Sequence, residues 1–573
     1  MYVLQVQATI NGPKLEYDFI IVGAGSAGCA LAHRLSEERQ WQILLIEAGG
    51  PETPITDIPG AVAEVISPYN SPFLWHDMSE PLRNAGSALN GRSIRCMHGK
   101  VMGGTSVVNW MMYTRGNIAD YNRWGRITGD LNWSWKNIHP YYKRLENYTI
   151  PYPDPNYFGV GGPVHIETPP YYSELSRLAL LAAQQDGKPI HNVNGPEQYG
   201  ISPVQATIQN GMRVSANKAY ITPIIETRRN LHIKMKSTVT KILINVGARP
   251  LPKAFGVRYM HKNVMRTAYA RKEVILCAGP INSPKLLMLS GIGPREELLM
   301  HRIPVIKSLP VGNNLFDHVG TGSIQFLTNK PAYPPQDILL YPKKKSGPLS
   351  TASFVEAWGY SHPLNDTISI EQIFFLSPMN EMNYKIFNLK KSVFEMVFKP
   401  HQFLPGFQVY PILEQPKSRG TVRLRDANPL SKPRINLNYF SDPEDLERLL
   451  SGVREAIRIV EKPALKSYAP KLLRTKIPQC AMHIFDTDEY WRCAIRAIPL
   501  SLWHFSGTCK MGRREDLSTV LNTRLQVHGI EGLRVVDGSA FPSPVAAHFN
   551  ALSMMVGEKG ADIIKQDLTR RSI

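Results

Sequence analysis

The sequence predicts an α/β protein whose nucleus is a Rossmann-like, doubly wound βαβ unit near the start of the chain. Three observations predict it. Residues 17–50 run through a short apolar stretch, a glycine turn, a helical stripe and a second apolar stretch. The 573-residue chain is 43% hydrophobic and 20% charged, an ordinary globular balance. No run approaches the roughly 18 apolar residues that a membrane span needs. Taken in order, YDFIIVG is a β-branched, apolar first strand and GAGSAG is the turn. AGCALAHRLSEE carries an apolar stripe at helical spacing, and WQILLIE is a second buried strand.

At roughly 150 residues per domain, the length allows up to about four domains, and a large two-domain enzyme fits as well. Proline is dense from 310 to 415, with aromatic and aliphatic residues between the prolines. That mixture predicts an irregular part of a second domain, not a linker. Residues 442–462 read as an amphipathic helix, and glycine-rich turns return after about 500. The N-terminal MYVLQVQATINGPKLEYDF has neither a basic n-region nor an apolar h-region, so it does not read as a secretory signal, and location stays open.

The net charge of +19 favours acidic partners or surfaces. Its longest block is KKK at 343–345, and the rest is scattered, which predicts a solvated basic surface and no nucleic-acid partner. The six cysteines, Cys29, Cys96, Cys277, Cys480, Cys493 and Cys509, show no zinc spacing, so no metal site is expected. Cys29 and Cys277 lie in apolar stretches and read as buried small residues. Cys480 and Cys493 are the pair to test for a disulfide.

Gly23-x-Gly25-x-x-Gly28 follows the first strand and opens the helix, and Glu47 ends the next strand close to the expected spacing of about 20 residues. Each residue has a physical task. Gly23 permits the tight turn, Gly25 lets the backbone approach a pyrophosphate, and Gly28 lets helix and strand pack closely. The helix N-terminus, with Ser26 and Ala27, offers free N–H groups and a dipole to the phosphates. Glu47 is expected to accept hydrogen bonds from ribose hydroxyls. The motif does not separate FAD from NAD(P).

Further motifs do. GKVMGGTSVVNWMMYTRG at 99–116 and GPINSPKLLMLSGIGP at 279–294 resemble two signatures of the glucose–methanol–choline (GMC) flavoprotein oxidoreductases. WHFSGTCKMG at 503–512, with LRVVDGSAFPSPVAAHFNALSMMVGEKGAD at 533–562, resembles that family's catalytic block. RNLHIKMKSTVTKIL and PKSRGTVRLRDANP fit the pattern between, and DTDEYWRCAIR points to the insect-type branch related to FAD-dependent glucose dehydrogenase. The resemblance implies FAD, held by the Gly23–Gly28 turn, Glu47 and the backbone at Val239 on the ADP side. It places Val101, Gly103, Gly104, Thr105 and Asn109 along the flavin, with Asp537 and Asn550 reaching it from the C-terminal block. Where some members attach FAD through a histidine, this chain has Val108, so non-covalent FAD is expected.

The same resemblance implies an FAD-binding domain from residues 16–160, 205–318 and 495–573. A substrate-binding α+β domain with an antiparallel sheet is expected from 161–204 and 319–494. It also implies oxidation of an alcohol or sugar, with oxygen or a quinone-type acceptor reoxidising the flavin. A hydroxynitrile-lyase-like enzyme on the same scaffold, or a silent flavin-binding paralogue, are the alternatives. Some insect-type relatives are secreted, which would suit a Cys480–Cys493 bond.

Alcohol oxidation moves a proton and a hydride, so the site needs a neutral base near the oxygen and a group that stabilises the oxyanion. Histidine suits the base, with a reference pKa of about 6.5. His504 and His548 occupy the family's two catalytic positions. His504 is assigned as proton acceptor and His548 as hydrogen-bond partner of the substrate oxygen, with exchange of roles left open. A helix expected to start near Ala551 would favour a neutral His548. His76, His98, His318 and His528 read as structural or surface residues. Departures from the family pattern are Leu552, Phe505 and the Met97-His98 pair. Trp110, Phe505 and Phe549 would make the pocket aromatic and favour a hydrophobic alcohol over a free sugar.

Overall fold

The computed structural model describes residues 16–151, 153–362 and 368–571. Residues 1–15, most of the stretch tested for a secretory signal, lie outside them. The βαβ unit forms as its residues dictate: β1 (Glu16–Val22) is buried from Tyr17 onward, α1 (Ser26–Leu35) follows the glycine turn, and β2 (Ile43–Ile46) is wholly buried. β1 pairs with β2 in parallel.

Four more strands extend this sheet: β3 (Leu231–Lys234), β4 (Ser237–Asn245), β5 (Lys253–His261) and β6 (Val264–Leu276). The order is β3-β2-β1-β6-β5-β4, parallel up to β6 and antiparallel beyond it. The far end of β6 also pairs in parallel with strand Leu533–Val535. Residues from the C-terminal block thus join the sheet that β1 and β2 begin. The carboxyl ends of its parallel strands face one crevice, where α/β sheets bind their ligands. Cys277, just after β6, and α2 (Gly279–Leu289) line that crevice.

The second sheet is antiparallel. Its strands are β7 (Val319–Thr321), β8 (Gln325–Leu327), β9 (Val355–Ser361), β10 (Ile370–Phe375) and β11 (Gly406–Leu413), with Pro499–Ser501 at one edge. The order is β9-β10-β11-β7-(499–501), and β8 also pairs with β11. The proline-dense 310–415 region, expected to be irregular, therefore supplies this sheet's central strands. Its prolines sit mostly in the connections. The exception is Pro411 inside β11, opposite Gln372.

Helix α3 (Pro443–Val460) covers one face of this sheet, close to the 442–462 helix read from the sequence. Gly452 fits there because a side chain would press on Ile370 and Pro411, and the Gly452 carbonyl accepts from Gln372 Nε2 at 2.8 Å. Strand side chains alternate between faces. Ile370 and Gln372 therefore face α3, and Glu371 and Ile373 face the opposite side. That alternation positions the site.

The apolar cores follow the two sheets, and each draws on distant parts of the chain. Val62 to Met112 contribute to the core of the second sheet, whereas Val164 and Ile166 pack with the first. Cys480 and Cys493 are bonded, tying the middle of helix Asp488–Ala497 to the turn Pro478–Cys480 before it. The other four cysteines are free and buried. Among the described residues no helix is long and apolar enough to cross a membrane.

Candidate active site

Most of the residues singled out above meet in one cavity between the two sheets. Its wall includes Gly23, Gly25, Ser26, Ala27, Glu47 and Val239 toward one end, and Gly104, Thr105, Asn109, Asp537 and Asn550 further along. His504 and His548 line it too, with Trp110, Phe505 and Phe549. Gly28, Val101 and Gly103 stand behind the wall. A Cβ on Gly28 would lie 2.0 Å from the Gly23 carbonyl oxygen, so glycine there serves protein packing. Gly103 adopts φ +101° and donates to the Ala24 carbonyl, and Val101 pairs with Gly50.

The glycine turn fits a dinucleotide by a test internal to the structure. Gly23 has φ +103°, and a Cβ there would meet the Cys277 carbonyl at 2.4 Å. Gly25 is different. It has φ −81°, which any residue adopts, and a Cβ would come no closer than 3.9 Å to Gly104 Cα. Nothing in the protein's own packing requires glycine at 25, so its missing side chain leaves room on the cavity side. Beside it the N-terminus of α1 carries no side-chain cap and no acid in its first turn, which suits an anion. Opposite, Gly104 has φ +58° and would place a Cβ 2.6 Å from Gly25 Cα.

The expected polar contacts are already anchored by protein donors. Glu47 accepts from Ala24 N at 2.9 Å and Gly49 N at 2.7 Å, keeping further lone pairs on each oxygen. Asn109 Oδ1 accepts from buried Arg213 at 2.7 Å and from Met111 N at 3.1 Å. Thr105 Oγ1 accepts from Gly99 N at 3.0 Å. Asp537 accepts from Gly279 N at 2.9 Å, Ser283 Oγ at 2.6 Å and Ser539 N at 2.8 Å, and burial raises its carboxyl above the usual range. These donors fill its carboxylate and leave its backbone as the part available to a ligand. Asn550 Oδ1 accepts from Ser26 Oγ at 2.7 Å, which joins the C-terminal block to the glycine turn.

The loop carrying His548 is fixed at several points. Trp124 Nε1 donates to the Ser543 carbonyl at 3.0 Å, Ala546 N to Asp120 at 2.8 Å, and His548 N to Thr114 Oγ1 at 2.6 Å. Helix α4 (Phe549–Arg571) begins directly after it, two residues earlier than the sequence suggested. The earlier start follows from these anchors, which leave Phe549 free to begin the helical turn. The ring of His548 meets Glu371, whose oxygens lie 3.0 and 3.2 Å from Nε2. Glu371 is fully buried and sits on the cavity face of β10.

His504 follows strand Pro499–Ser501 after Trp503, which takes φ +56°. Its N–H donates to Asp317 at 2.7 Å, and burial pushes the Asp317 carboxyl up to about 7 despite these donors. The His504 and His548 rings stand 4.8 Å apart, and the Phe549 ring lies 5.0 Å from His504. Desolvation, then His548 and His318, push His504 well below the ordinary imidazole value, so it stays neutral near pH 7. That matches the requirement for a neutral base.

Sequence reasoning missed three buried groups behind this pair. His318, read as structural or surface, places Nδ1 3.0 Å from Nδ1 of His504. Glu371 and Glu414 are diagonal neighbours on one face of β10 and the chain leaving β11, since Glu371 lies opposite Ile412. Glu414 lies against Glu371 and the Ala547 N–H, and burial with the nearby Glu371 pushes its carboxyl well up. The available signal was an acid inside the apolar run ISIEQIFF. His98 also differs from its reading: it lines the cavity, stacks on Trp75 at 6.0 Å and pairs with Asp77 at 2.9 Å. His76 and His528 bond to the Ser71 carbonyl and Thr519, away from the catalytic pair.

Two family models described as GMC oxidoreductase match residues 17–320 and 416–557. The glucose dehydrogenase [FAD, quinone] of Drosophila pseudoobscura pseudoobscura is 35% identical, covering 97% of this chain and 87% of the relative. The oxygen-dependent choline dehydrogenase 1 of Chromohalobacter salexigens is 34% identical, covering 96% of this chain and 95% of the relative. Among solved structures, pyridoxine 4-oxidase from Mesorbium loti aligns over 96% of this chain and 99% of that one, with a TM-score of 0.82 and 25% identity.

Proposed function

The chain belongs to the GMC oxidoreductase family, and from that premise we propose that it oxidises a hydrophobic or aromatic alcohol, with His504 as proton acceptor and His548 as oxyanion partner. It is an FAD-dependent oxidoreductase acting on CH–OH donors. The observation that carries the reading is the pair of histidine rings 4.8 Å apart in the wall of the cavity that also contains the glycine turn.

FAD, when bound, supplies the hydride acceptor. The Gly23–Gly28 turn, Glu47 and Val239 hold its ADP half. Gly104, Thr105, Asn109, Asp537 and Asn550 hold its flavin end, with Gly103 and Val101 supporting that wall from behind. Val108 offers only an aliphatic side chain, so the cofactor is held without a covalent link.

The neutral His504 takes the hydroxyl proton at Nε2. His548 gives Nε2–H to Glu371 and keeps Nδ1 for the substrate. From Nδ1 the ring is placed to stabilise the charge developing on the substrate oxygen, with the carboxyl of Glu371 behind it. The neighbouring His548 also opposes a charge at His504, one of the influences that keep the base neutral. Glu371→Gln removes that carboxyl while preserving volume. It is expected to lower the flavin reduction rate about 10²-fold with FAD content unchanged, since a buried pair loses several kcal/mol when one partner goes. Flavin reduction followed in stopped flow, beside the absorbance of bound FAD, checks it.

The aromatic wall carries the substrate class. Trp110 stacks on Phe375 at 5.6 Å, and Phe505 and Phe549 are buried beside the histidines. Such a wall binds an apolar body and leaves the hydroxyls of a free sugar unpaired. Anaerobic reduction with a panel of benzyl alcohol, glucose, choline and a sterol tests both steps. Benzyl alcohol is expected to bleach the flavin at least about tenfold faster than glucose, on the order of 1.4 kcal/mol. A clean preference for glucose sinks the substrate reading, and no bleaching by any alcohol sinks the oxidation reading. Reoxidation with oxygen or a quinone then identifies the acceptor.

A further inference from the structure

We propose that His318 is a positioning residue for the catalytic pair: its Nδ1 holds His504 in the tautomer that leaves Nε2 free for the substrate hydroxyl. The inference rests on His504 being the proton acceptor. A neutral imidazole offers a lone pair at only one nitrogen. For Nε2 to accept a proton, Nδ1 must already carry a hydrogen, and a buried N–H needs an acceptor.

The partner in place is Nδ1 of His318, at 3.0 Å with the two rings nearly perpendicular at 82°. His318 is fully buried and takes no part in the cavity wall, whereas His504 lines it. The contact therefore engages the edge of His504 that faces away from the cavity.

His318 can accept only while it is neutral and carries its own hydrogen at Nε2. Every charged or titratable group facing it is compatible with that state. His548 opposes a second cation, and with burial this pushes His318 down to about 3. Glu414 approaches Nδ1 to 3.4 Å, and burial with the nearby Glu371 pushes it up toward the neutral acid, so it brings no full negative charge to draw a proton there. Asp317, the preceding residue, spends its carboxylate on Ser501, Tyr439 and the His504 N–H. The Val545 and Glu414 carbonyls face the ring and favour a hydrogen on it. With those carbonyls as acceptors for its own hydrogen, Nδ1, 3.0 Å from His504, is the atom through which His318 acts. Phe549 closes the arrangement, its ring 4.7 Å from that of His318.

The test uses the holoenzyme and whichever of benzyl alcohol, glucose and choline reduces the wild-type flavin fastest. His318→Leu removes the acceptor and keeps an apolar volume. Its limiting rate of flavin reduction is expected to fall about 10²-fold, with half-saturation and the flavin absorbance spectrum unchanged, because a misplaced tautomer removes general-base catalysis and little else. His318→Asn keeps a short carbonyl acceptor close to the position of Nδ1 and is expected to recover to within about tenfold of wild type. A His318→Leu enzyme that reduces at the wild-type rate overturns the proposal. So does an Asn variant as slow as the Leu variant, or loss of FAD from both, which would mark a packing role. Failure of the wild-type enzyme with every alcohol would instead remove the reading of His504 on which the proposal rests.

Discussion

Replacing His504 with alanine is expected to slow anaerobic flavin reduction about 10³-fold while FAD stays bound, since a positioned general base contributes typically 10²- to 10⁴-fold. The expectation follows from what remains at the site. His548 is the nearest ring, but Glu371 holds its Nε2. The loop itself should survive the change. Its anchors are the backbone N–H of residue 504 on Asp317, Trp503 N on Ser501 at 2.9 Å, and Trp503 Nε1 on the Arg95 carbonyl at 2.6 Å, none of which needs the imidazole. Free imidazole can enter the space left and is expected to restore part of the rate. The wild-type pH profile provides a companion measurement. A base works only while unprotonated, so the acid limb of kcat/KM follows its pKa. Burial and two neighbouring histidines lower that value well below 6.5, and the limb should therefore fall below pH 6.5 with a flat region above it. A loss of less than about tenfold in His504→Ala, or an acid limb above pH 6.5, removes His504 from the role of base.

The two halves of the site differed in how readable they were. The dinucleotide side was legible because it is local. Strand, turn, helix and strand occupy 17–50, and each glycine has a task set by backbone geometry within a few residues. His504 and His548 could be singled out only through whole motifs, since one histidine before one helix carries no chemical signal. Glu371 and Glu414 were hidden for a physical reason. β10 and β11 are buried on both faces, so neither shows the polar–apolar alternation that would reveal which side an acid faces. Their juxtaposition exists only in the strand register. His318 was hidden by distance, since its partner lies 186 residues away and the pairing of β7 with strand Pro499–Ser501, continued by the Phe316–Ser506 bridge, brings the two together. The Met97-His98 departure proved to concern the cavity, because both residues line it, and His98 is held by Asp77.

The glycine turn yields the sharpest separation between folding and binding. Gly28→Ala and Gly25→Ala add the same methyl group three residues apart, and their consequences should be opposite. At Gly28 the new Cβ would sit 2.0 Å from the Gly23 carbonyl oxygen and 3.2 Å from Cys277 Cβ, against backbone that cannot rotate away. α1 would have to move off β1, and it is clamped on its other side as well. A Cβ on Gly557 of α4 would meet the Ala27 carbonyl at 2.4 Å, so the two helices already approach backbone to backbone. The expected cost is about 3 kcal/mol or more, with loss of FAD as a consequence of unfolding. At Gly25 the methyl group meets no protein atom closer than 3.9 Å and the backbone is ordinary, so the stability of the FAD-free chain should change by no more than about 0.5 kcal/mol. What it obstructs is the approach of a pyrophosphate to the N-terminus of α1, and FAD affinity should fall at least about tenfold. Thermal unfolding of FAD-free protein, beside titration with FAD, distinguishes the two. If Gly25→Ala proved as destabilising without FAD as Gly28→Ala, the space at Gly25 would belong to the fold and not to the cofactor.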